Sequence, residues 1–412
     1  MLHTRLIDEL PEAEALVPAW RRLFDRAATP ELVSTPTWVL SWWRVFSEDR
    51  TMRLWTASTA DGELVGLAPL LGRRALYRGR LPLRRIELMG TGEDEADEVC
   101  SDYAGIVAAR GEERRVADAL AGALVSGELG RWDDLVLASM NASDAVAVEV
   151  ERSLRARGAR VERTPAGACP YVPLPSSWEA YLSRLDGSRR YTVTRSLRDL
   201  ERWAGAGGYG LRRASTPGEL REGRGVLHAL HSERWADRGR AGVFVSDRFR
   251  RFHDRVMAAF LEGRDASLDL MWLTVRGEPI AAVYNIVYRN KVYFYQSGRR
   301  LDVPKGIRPG IALHALAIQR AIGEGRREYD LLAGESAYKT KLALASRPLM
   351  TMRAVAPTLR ARALDAVRAS AELAVVRLRQ LRKTSAPAPP HLAEVVPLHP
   401  HGAADVSRPR GA

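Results

Sequence analysis

Apolar positions along this 412-residue chain fall into short alternating runs and helical stripes that succeed one another in a repeated order. Residues 3–7 (HTRLI) predict a short strand. From 11 to 28, Leu16, Trp20, Leu23 and Phe24 share one face of a helix begun at Pro11, a residue suited to the first helical turn. A second, aromatic-rich helix is predicted at 37–47. The runs LWTASTA and ELVGLAPLLGRR, joined by the turn dipeptide DG, read as a hairpin. SDYAGIVAA (101–109) and DDLVLASM (133–140) are expected strands around an alanine-rich helix at 112–127.

The second half repeats this grammar. Helices are expected at 188–204, 217–238 and 246–262, with Ser176-Ser177-Trp178-Glu179 opening another by a capping-box spacing. MWLTV, IAAVYNIVY and KVYFYQSG (271–298) form a three-stranded meander with tight turns at RGEP and RN. RGEPIAAVY echoes DGELVGLAP of the first half in glycine, glutamate and apolar alternation, which favours two related α/β domains in tandem. A helix begins at Pro309 and ends at Gly323 or Gly325, and strands YDLLA and LMTMRAVAP close the domain near residue 356. The proline-rich, extended stretch 164–177 is the expected junction, giving domains 1–165 and 166–356. Beyond them, residues 357–383 place Leu364, Val367, Ala371, Ala374, Val375, Leu378 and Leu381 on one stripe of a basic helix, and 384–412 is Pro/Ala-rich and expected to be disordered. That helix suits either a protein surface or peripheral contact with an anionic membrane face.

Composition adds limits more than identity. Apolar residues make up 46% and charged residues 27%, ordinary for a globular protein. The net charge of +13 would suit a polyanion or a phosphorylated ligand, but arginine is scattered along every segment and no basic run is interleaved with stacking aromatics, so no specific nucleic-acid site is expected. Cys100 and Cys169 stand far apart and outside any metal-ligand spacing, so neither a disulfide framework nor a metal is expected. The N-terminus carries no charged segment leading into an apolar one and no 18-residue apolar run occurs, so a cytoplasmic protein is expected.

One compositional detail points at chemistry. Only five residues are Lys, and four of them, Lys291, Lys305, Lys339 and Lys341, lie between 291 and 341. This segment contains a strand, the loop RRLDVPKGI and the helix start RPGIALHALAIQ. Free N–H groups at a helix N-terminus bind phosphate, small residues let a ligand approach the backbone, and lysine supplies a compact charge on a flexible stem. Lys305, Arg308, Gly310, Ile311 and Ala312 therefore form a candidate pyrophosphate loop, although proline and glycine there are also ordinary helix punctuation.

The order RPGIAL, EGRREYDLLAGESAYK, LHSERWADRGRAGVF (230–244), STPTWVLSWW and DGELVGLAPL resembles the GNAT-superfamily acetyltransferases associated with cellulose biosynthesis, the CelD-like group, over residues 10–350. It is also similar to Fem-type peptidoglycan-bridge transferases. The resemblance implies two tandem GNAT-like α/β domains, each with a mixed, mostly antiparallel sheet flanked by helices. It implies acetyl-CoA or another acyl-CoA as donor, a saccharide or other envelope-precursor acceptor, and direct transfer without a covalent enzyme intermediate. On the family's Q/R-x-x-G-x-G/A loop, Gly310 and Ala312 take the small positions while Ile307 stands where Gln or Arg belongs; Arg308 or Lys305 would supply the cation. Aminoacyl-tRNA as donor, or a non-catalytic binding module, are the alternatives.

The implied roles are these. Backbone N–H groups at Gln296, Ser297 and Gly298 would polarise the thioester carbonyl. Glu335, Asp330 and His231 are candidate bases and Tyr338 the candidate acid. Lys339 is expected to face the cleft, with Lys341 the less essential lysine. Asp102, Tyr103, Trp235 and Phe244 are candidate substrate-binding or cleft-wall residues, each equally readable as a packed structural group.

Overall fold

The computed structural model describes residues 2–77, 81–237, 239–334 and 336–384, with side chains of the last stretch as far as residue 371. The first half runs β1 (His3–Ile7), α1 (Leu10–Ala15), α2 (Val17–Arg26), α3 (Pro36–Phe46), β2 (Arg50–Ser58), β3 (Leu64–Tyr77), β4 (Leu81–Leu88), β5 (Val107–Ala108), α4 (Glu113–Ser126), β6 (Asp134–Asn141), α5 (Ala145–Ala156) and β7 (Arg160–Pro173). The second runs α6 (Trp178–Arg184), α7 (Gly187–Ala204), β8 (Tyr209–Arg213), α8 (Pro217–Ala236), α9 (Asp247–Leu261), β9 (Ser267–Val275), β10 (Glu278–Tyr288), β11 (Lys291–Arg299), α10 (Pro309–Gly323), β12 (Glu328–Asp330), α11 (Ala337–Leu342) and β13 (Ala345–Val355). A final helix, α12, spans Leu359–Thr384.

The repeat is real at the level of topology. Strand order is β1-β2-β3-β4-β6-β13-β7-β12-β11-β10-β9-β8 in one mixed sheet, with β5 pairing only β3. Each half has four antiparallel strands, then a parallel step, β4 to β6 in one and β11 to β12 in the other. The last strands are exchanged: β13 lies against β6, and β7 lies against β12. The expected junction 164–177 is extended, but its residues up to Pro173 are a sheet strand between β13 and β12. Up to Asp365 the chain packs as one compact unit.

Local chemistry sets the element ends. Thr35 caps α3 and Pro36 opens it, and Thr216 and Glu219 form a reciprocal capping box on α8. Ser177 caps α6 through Ala180, so the helix forms there with a single cap rather than the box expected from Ser176 and Glu179. The predicted helix 11–28 is split at Leu16, because Pro18, in the first turn of α2, has no N–H to continue the ladder. Of the predicted strand 101–109 only Val107 and Ala108 form a strand, with Ala109 adding an isolated bridge to Ala27, since Cys100 and Tyr103 turn the backbone through φ 46° and 70°. Leu332, at φ 55°, ends the predicted strand YDLLA after Asp330.

Packing ties the halves together. Trp38 on α3 meets Phe252 on α9 edge-on at 4.9 Å and Tyr295 on β11 at 5.7 Å, and His253 Nε2 lies 3.0 Å from the Tyr295 hydroxyl. The start of α12 is anchored by charge: buried Asp365 pairs with Arg160 at 3.2 Å and Arg353 at 3.0 Å, and Arg360 pairs with Asp133 at 3.2 Å. Further along, Val367 is exposed, the side chains of Ala374, Val375, Leu378 and Leu381 lie outside the described residues, and so do residues 385–412 of the expected tail. Among the described residues no helix is long and apolar enough to cross a membrane.

Candidate active site

β11 and β12 pair only over Lys291–Tyr293 with Glu328–Asp330; beyond that β11 runs on to Arg299 while β12 stops. The sheet therefore splits, and a register shift against β10 leaves Tyr295 as an extra residue on β11, a bulge at the edge of the split. Into this fork opens a cleft of about 660 Å³. Its floor is Ser297, Gly298 and Arg299 of β11; one wall is Ile307 to Ile311 at the start of α10, and the other is Ser336, Ala337, Tyr338 and Lys341.

Charge in the cleft is one-sided. Arg234, Arg299, Arg308 and Lys341 line it, and no carboxylate does among the described residues. No side chain caps α10, and its first intrahelical bond from this turn is Ala312 N–H to Arg308 O, so the N–H groups of Gly310 and Ile311 have no intrahelical acceptor. An uncapped N-terminus of a 15-residue helix beside four cations fits a polyphosphate. Arg308, next to Ile307 in the chain, and Arg299 line the same cleft as Ile307, whereas Lys305 does not.

Tyr338 is the polar aromatic of the cleft. It stacks on His314 at 5.2 Å, and the Arg234 guanidinium sits over its ring at 5.8 Å while donating to Ser297 Oγ at 3.3 Å. Burial raises the Tyr338 phenol above its ordinary range, and the Arg234 charge partly offsets this. The side chain is thus a protonated donor at neutral pH.

Other candidates lie elsewhere. Asp330 is fully buried, accepts from Tyr103 at 2.8 Å and pairs with Lys291 at 2.9 Å and Arg347 at 3.1 Å, so it holds the fork rather than lining the cleft. Lys339, expected to face the cleft, is buried beneath the loop after β12 and donates to the carbonyls of Leu332 (3.2 Å) and Ala333 (2.5 Å). Lys341 is the cleft lysine, the reverse of the expectation, because α11 turns two successive odd positions to opposite surroundings. Asp102 accepts from Ala333 N–H at 2.7 Å, and burial pushes its carboxyl up to about 6. His231 is buried among Trp235 and Phe244, at ring distances of 5.9 and 4.8 Å, and burial lowers it to about 4. Of the residues expected to hold the donor, Ser297, Gly298, Arg308, Gly310 and Ile311 line the cleft; Gln296, Lys305 and Ala312 do not, Ala312 being on the buried face of α10. Glu335 lies outside the described residues. Arg234, Arg299 and His314 are cleft residues that sequence reasoning missed; only the polar His within the apolar run IALHALAI offered a signal.

Comparisons with known proteins bear on the fold. Residues 187–340 match the family model described as an acetyltransferase (GNAT) domain. That span runs from the start of α7 into α11 and so contains nearly the whole cleft, Lys341 lying one residue beyond it. No curated protein matches the chain. Among solved structures, FemX is 11% identical, with 85% of this chain and 96% of that chain covered and a TM-score of 0.55. A conserved protein of unknown function from Bacteroides thetaiotaomicron VPI-5482 is 11% identical over 86% of this chain and 100% of that chain, at 0.51. A tandem GNAT protein from the clavulanic acid biosynthesis pathway is 14% identical over 87% and 100%, at 0.45. The fold is GNAT-like, a mixed α/β architecture.

Proposed function

We propose that this protein transfers an acyl group from an acyl-CoA thioester to an amine or hydroxyl, directly and within a ternary complex. The observation that carries the reading is the forked sheet whose cleft joins an uncapped helix N-terminus to Arg234, Arg299, Arg308 and Lys341. The family match over the same region supports it.

On this reading the N–H groups of Gly310 and Ile311 and the four cations hold the donor's phosphates. The backbone of β11 from Ser297 to Gly298, past its last pairing with β12, polarises the thioester carbonyl, where negative charge develops. As the acceptor's nitrogen or oxygen bonds to the acyl carbon, the carbon–sulfur bond breaks and Tyr338 gives its proton to the leaving thiolate. Glu335, whose neighbours Ser336 and Ala337 line the cleft, takes the acceptor's proton. Asp330, paired with two cations, and His231, packed away from the cleft, are poor choices for that role. We assign the acceptor to the saccharides or other envelope precursors suggested by the sequence resemblance.

Calorimetry and thermal shift with acetyl-CoA, longer acyl-CoAs and tRNA test this. The expected result is stabilisation by a CoA ester; stabilisation by none overturns the proposal. A donor of aminoacyl-tRNA type, which the net charge of +13 would serve, predicts instead tRNA retardation that weakens steeply with salt.

A further inference from the structure

His314 sits in the second turn of α10, lines the cleft and is 1% exposed. Its Nδ1 lies 3.2 Å from the hydroxyl of Tyr329, while its Nε2 is buried with no hydrogen-bond partner. Phe294 meets the ring edge-on at 4.5 Å and Tyr338 stacks on its face, so the ring is held in place.

The bonds behind it determine where its proton is. Tyr329 donates to Asn285 Oδ1 at 3.2 Å, and Asn285 Nδ2 donates to Asp269 Oδ2 at 3.3 Å. Asp269 is held by Arg213 at 2.8 Å and Arg320 at 3.7 Å. An amide oxygen carries no hydrogen, so the Tyr329 proton points at Asn285 and the Tyr329 oxygen must accept from His314. His314 therefore carries its proton on Nδ1 and presents a bare lone pair at Nε2. Every bond in the chain donates toward Asp269, and Tyr329 and Asn285 are fully buried, so the bonds that favour this tautomer do not compete with bulk water. Protonation of the ring is opposed as well: burial first, then the charges of Lys339 and Arg234, lower His314 to about 3.

We infer that His314 is a fixed hydrogen-bond acceptor built into the cleft, and that its Nε2 receives an N–H or O–H of the bound ligand. This rests on the acyl-CoA reading of the cleft. Two sources present such a group there: an amide of the donor's pantetheine arm, and the nucleophile of the acceptor. In both cases the role is positioning, because a ring that stays neutral holds the hydrogen without removing it.

The test uses full-length protein labelled with ¹⁵N-histidine. Long-range proton–nitrogen spectra should show His314 protonated on Nδ1 and bare on Nε2 in the free protein; the opposite tautomer overturns the inference. Isotherms for CoA and acetyl-CoA follow, on wild type, His314→Phe and Tyr329→Phe. If the pantetheine arm is the source, the Nε2 resonance moves on adding CoA and His314→Phe weakens CoA binding about tenfold, one lost hydrogen bond. If the acceptor is the source, CoA binds all three proteins alike, and the resonance moves only when an amine or alcohol is added to the CoA-loaded protein. A wild type that binds CoA, with an Nε2 resonance unmoved by CoA, amines and alcohols, overturns the inference and leaves the donor reading standing. A flat wild-type isotherm for CoA and acetyl-CoA overturns both. Should either variant fail to fold, the wild-type spectra alone decide between these outcomes.

Discussion

Two glycines at the cleft separate folding from binding. A Cβ built on Gly298 would lie 2.5 Å from the backbone nitrogen of His231 and 2.6 Å from the carbonyl carbon of Leu230. These are main-chain atoms of α8, which crosses β11 at this point, and they cannot rotate aside. Gly298→Ala must therefore push α8 from the sheet, and forced overpacking in a core costs about 3 kcal/mol at the upper end of its range. With about 2.1 cal/mol/K of unfolding entropy per residue, the 365-residue unit carries about 0.8 kcal/mol/K, so the midpoint should fall by about 4 °C. A Cβ on Gly310 meets only the Arg299 Cδ at 3.6 Å, ordinary contact. Gly310→Ala should melt within about 1 °C of wild type. Gly310→Leu should also keep its fold but weaken acetyl-CoA binding at least about tenfold, because its side chain covers the N–H groups that hold phosphate. Differential scanning calorimetry and binding isotherms on the three variants decide this. Gly298→Ala melting like wild type, or Gly310→Leu losing stability and affinity together, would refute the reasoning.

Outcomes for five further variants follow from the same geometry. Lys339→Met leaves two loop carbonyls without their charged donor and should cost about 2–3 kcal/mol of unfolding free energy in urea, whereas Lys341→Met should leave the urea midpoint unchanged and weaken acetyl-CoA binding about fivefold at low salt. Asp102 binds its proton more tightly folded than unfolded, since burial moves it from 3.8 to about 6; its contribution is complete below pH 4 and is lost as pH rises through 6, about 3 kcal/mol in all, so Asp102→Asn should flatten the stability profile across that window in urea melts at stepped pH. Tyr338→Phe should lower kcat about a hundredfold with acetyl-CoA affinity kept, and Arg234→Gln should move the alkaline limb of kcat upward, because Arg234 is the charge that lowers the Tyr338 phenol; stopped-assay pH profiles read both.

Sequence pattern carried the element order well because each element announces itself locally: DG and RN turns, Pro36, Pro217 and Pro309 at helix starts, Gly127 at a helix end. It carried the repeat for the same reason. The exchange of β7 and β13 was not legible, since an extended strand does not encode its neighbour, and a 164–177 stretch rich in proline looks the same as linker or as strand. The loops at Cys100–Tyr103 and Leu332 were misread as strand because ordinary side chains there adopt positive φ, held by bonds from distant residues such as Tyr103 N–H to Ser139 O. At the site, helix-end chemistry alone pointed to Arg308, Gly310 and Ile311, which line the cleft. Arg234 and Arg299 were hidden among 58 arginines, and Lys339 was misplaced because two residues along a one-and-a-half-turn helix suffice to turn a side chain from cleft to interior.

The exchange gives the fork a fixed base. Opening a cleft between β11 and β12 forfeits ladder bonds, so the two strands would zip or fray unless the last paired position were pinned. That position is Tyr293 with Asp330, and the buried charges gather there. Arg347, from β13, reaches across the Tyr171 ring of β7, 4.3 Å from it, to Glu328 and Asp330 of β12, a clasp that exists only because β7 lies between those two strands. Lys291 of β11 closes the other side, bridging Asp330, Glu328 at 3.3 Å and Glu31 of the first half at 3.6 Å. Three carboxylates, Glu31, Glu328 and Asp330, gather around the two cations Lys291 and Arg347, and burial raises the Glu31 carboxyl while the Lys291 charge and the Tyr293 hydroxyl draw it back down. Removing one partner of such a cluster strands a buried charge at a cost of about 3–5 kcal/mol, which makes the fork point rigid while the cleft ahead of it stays open.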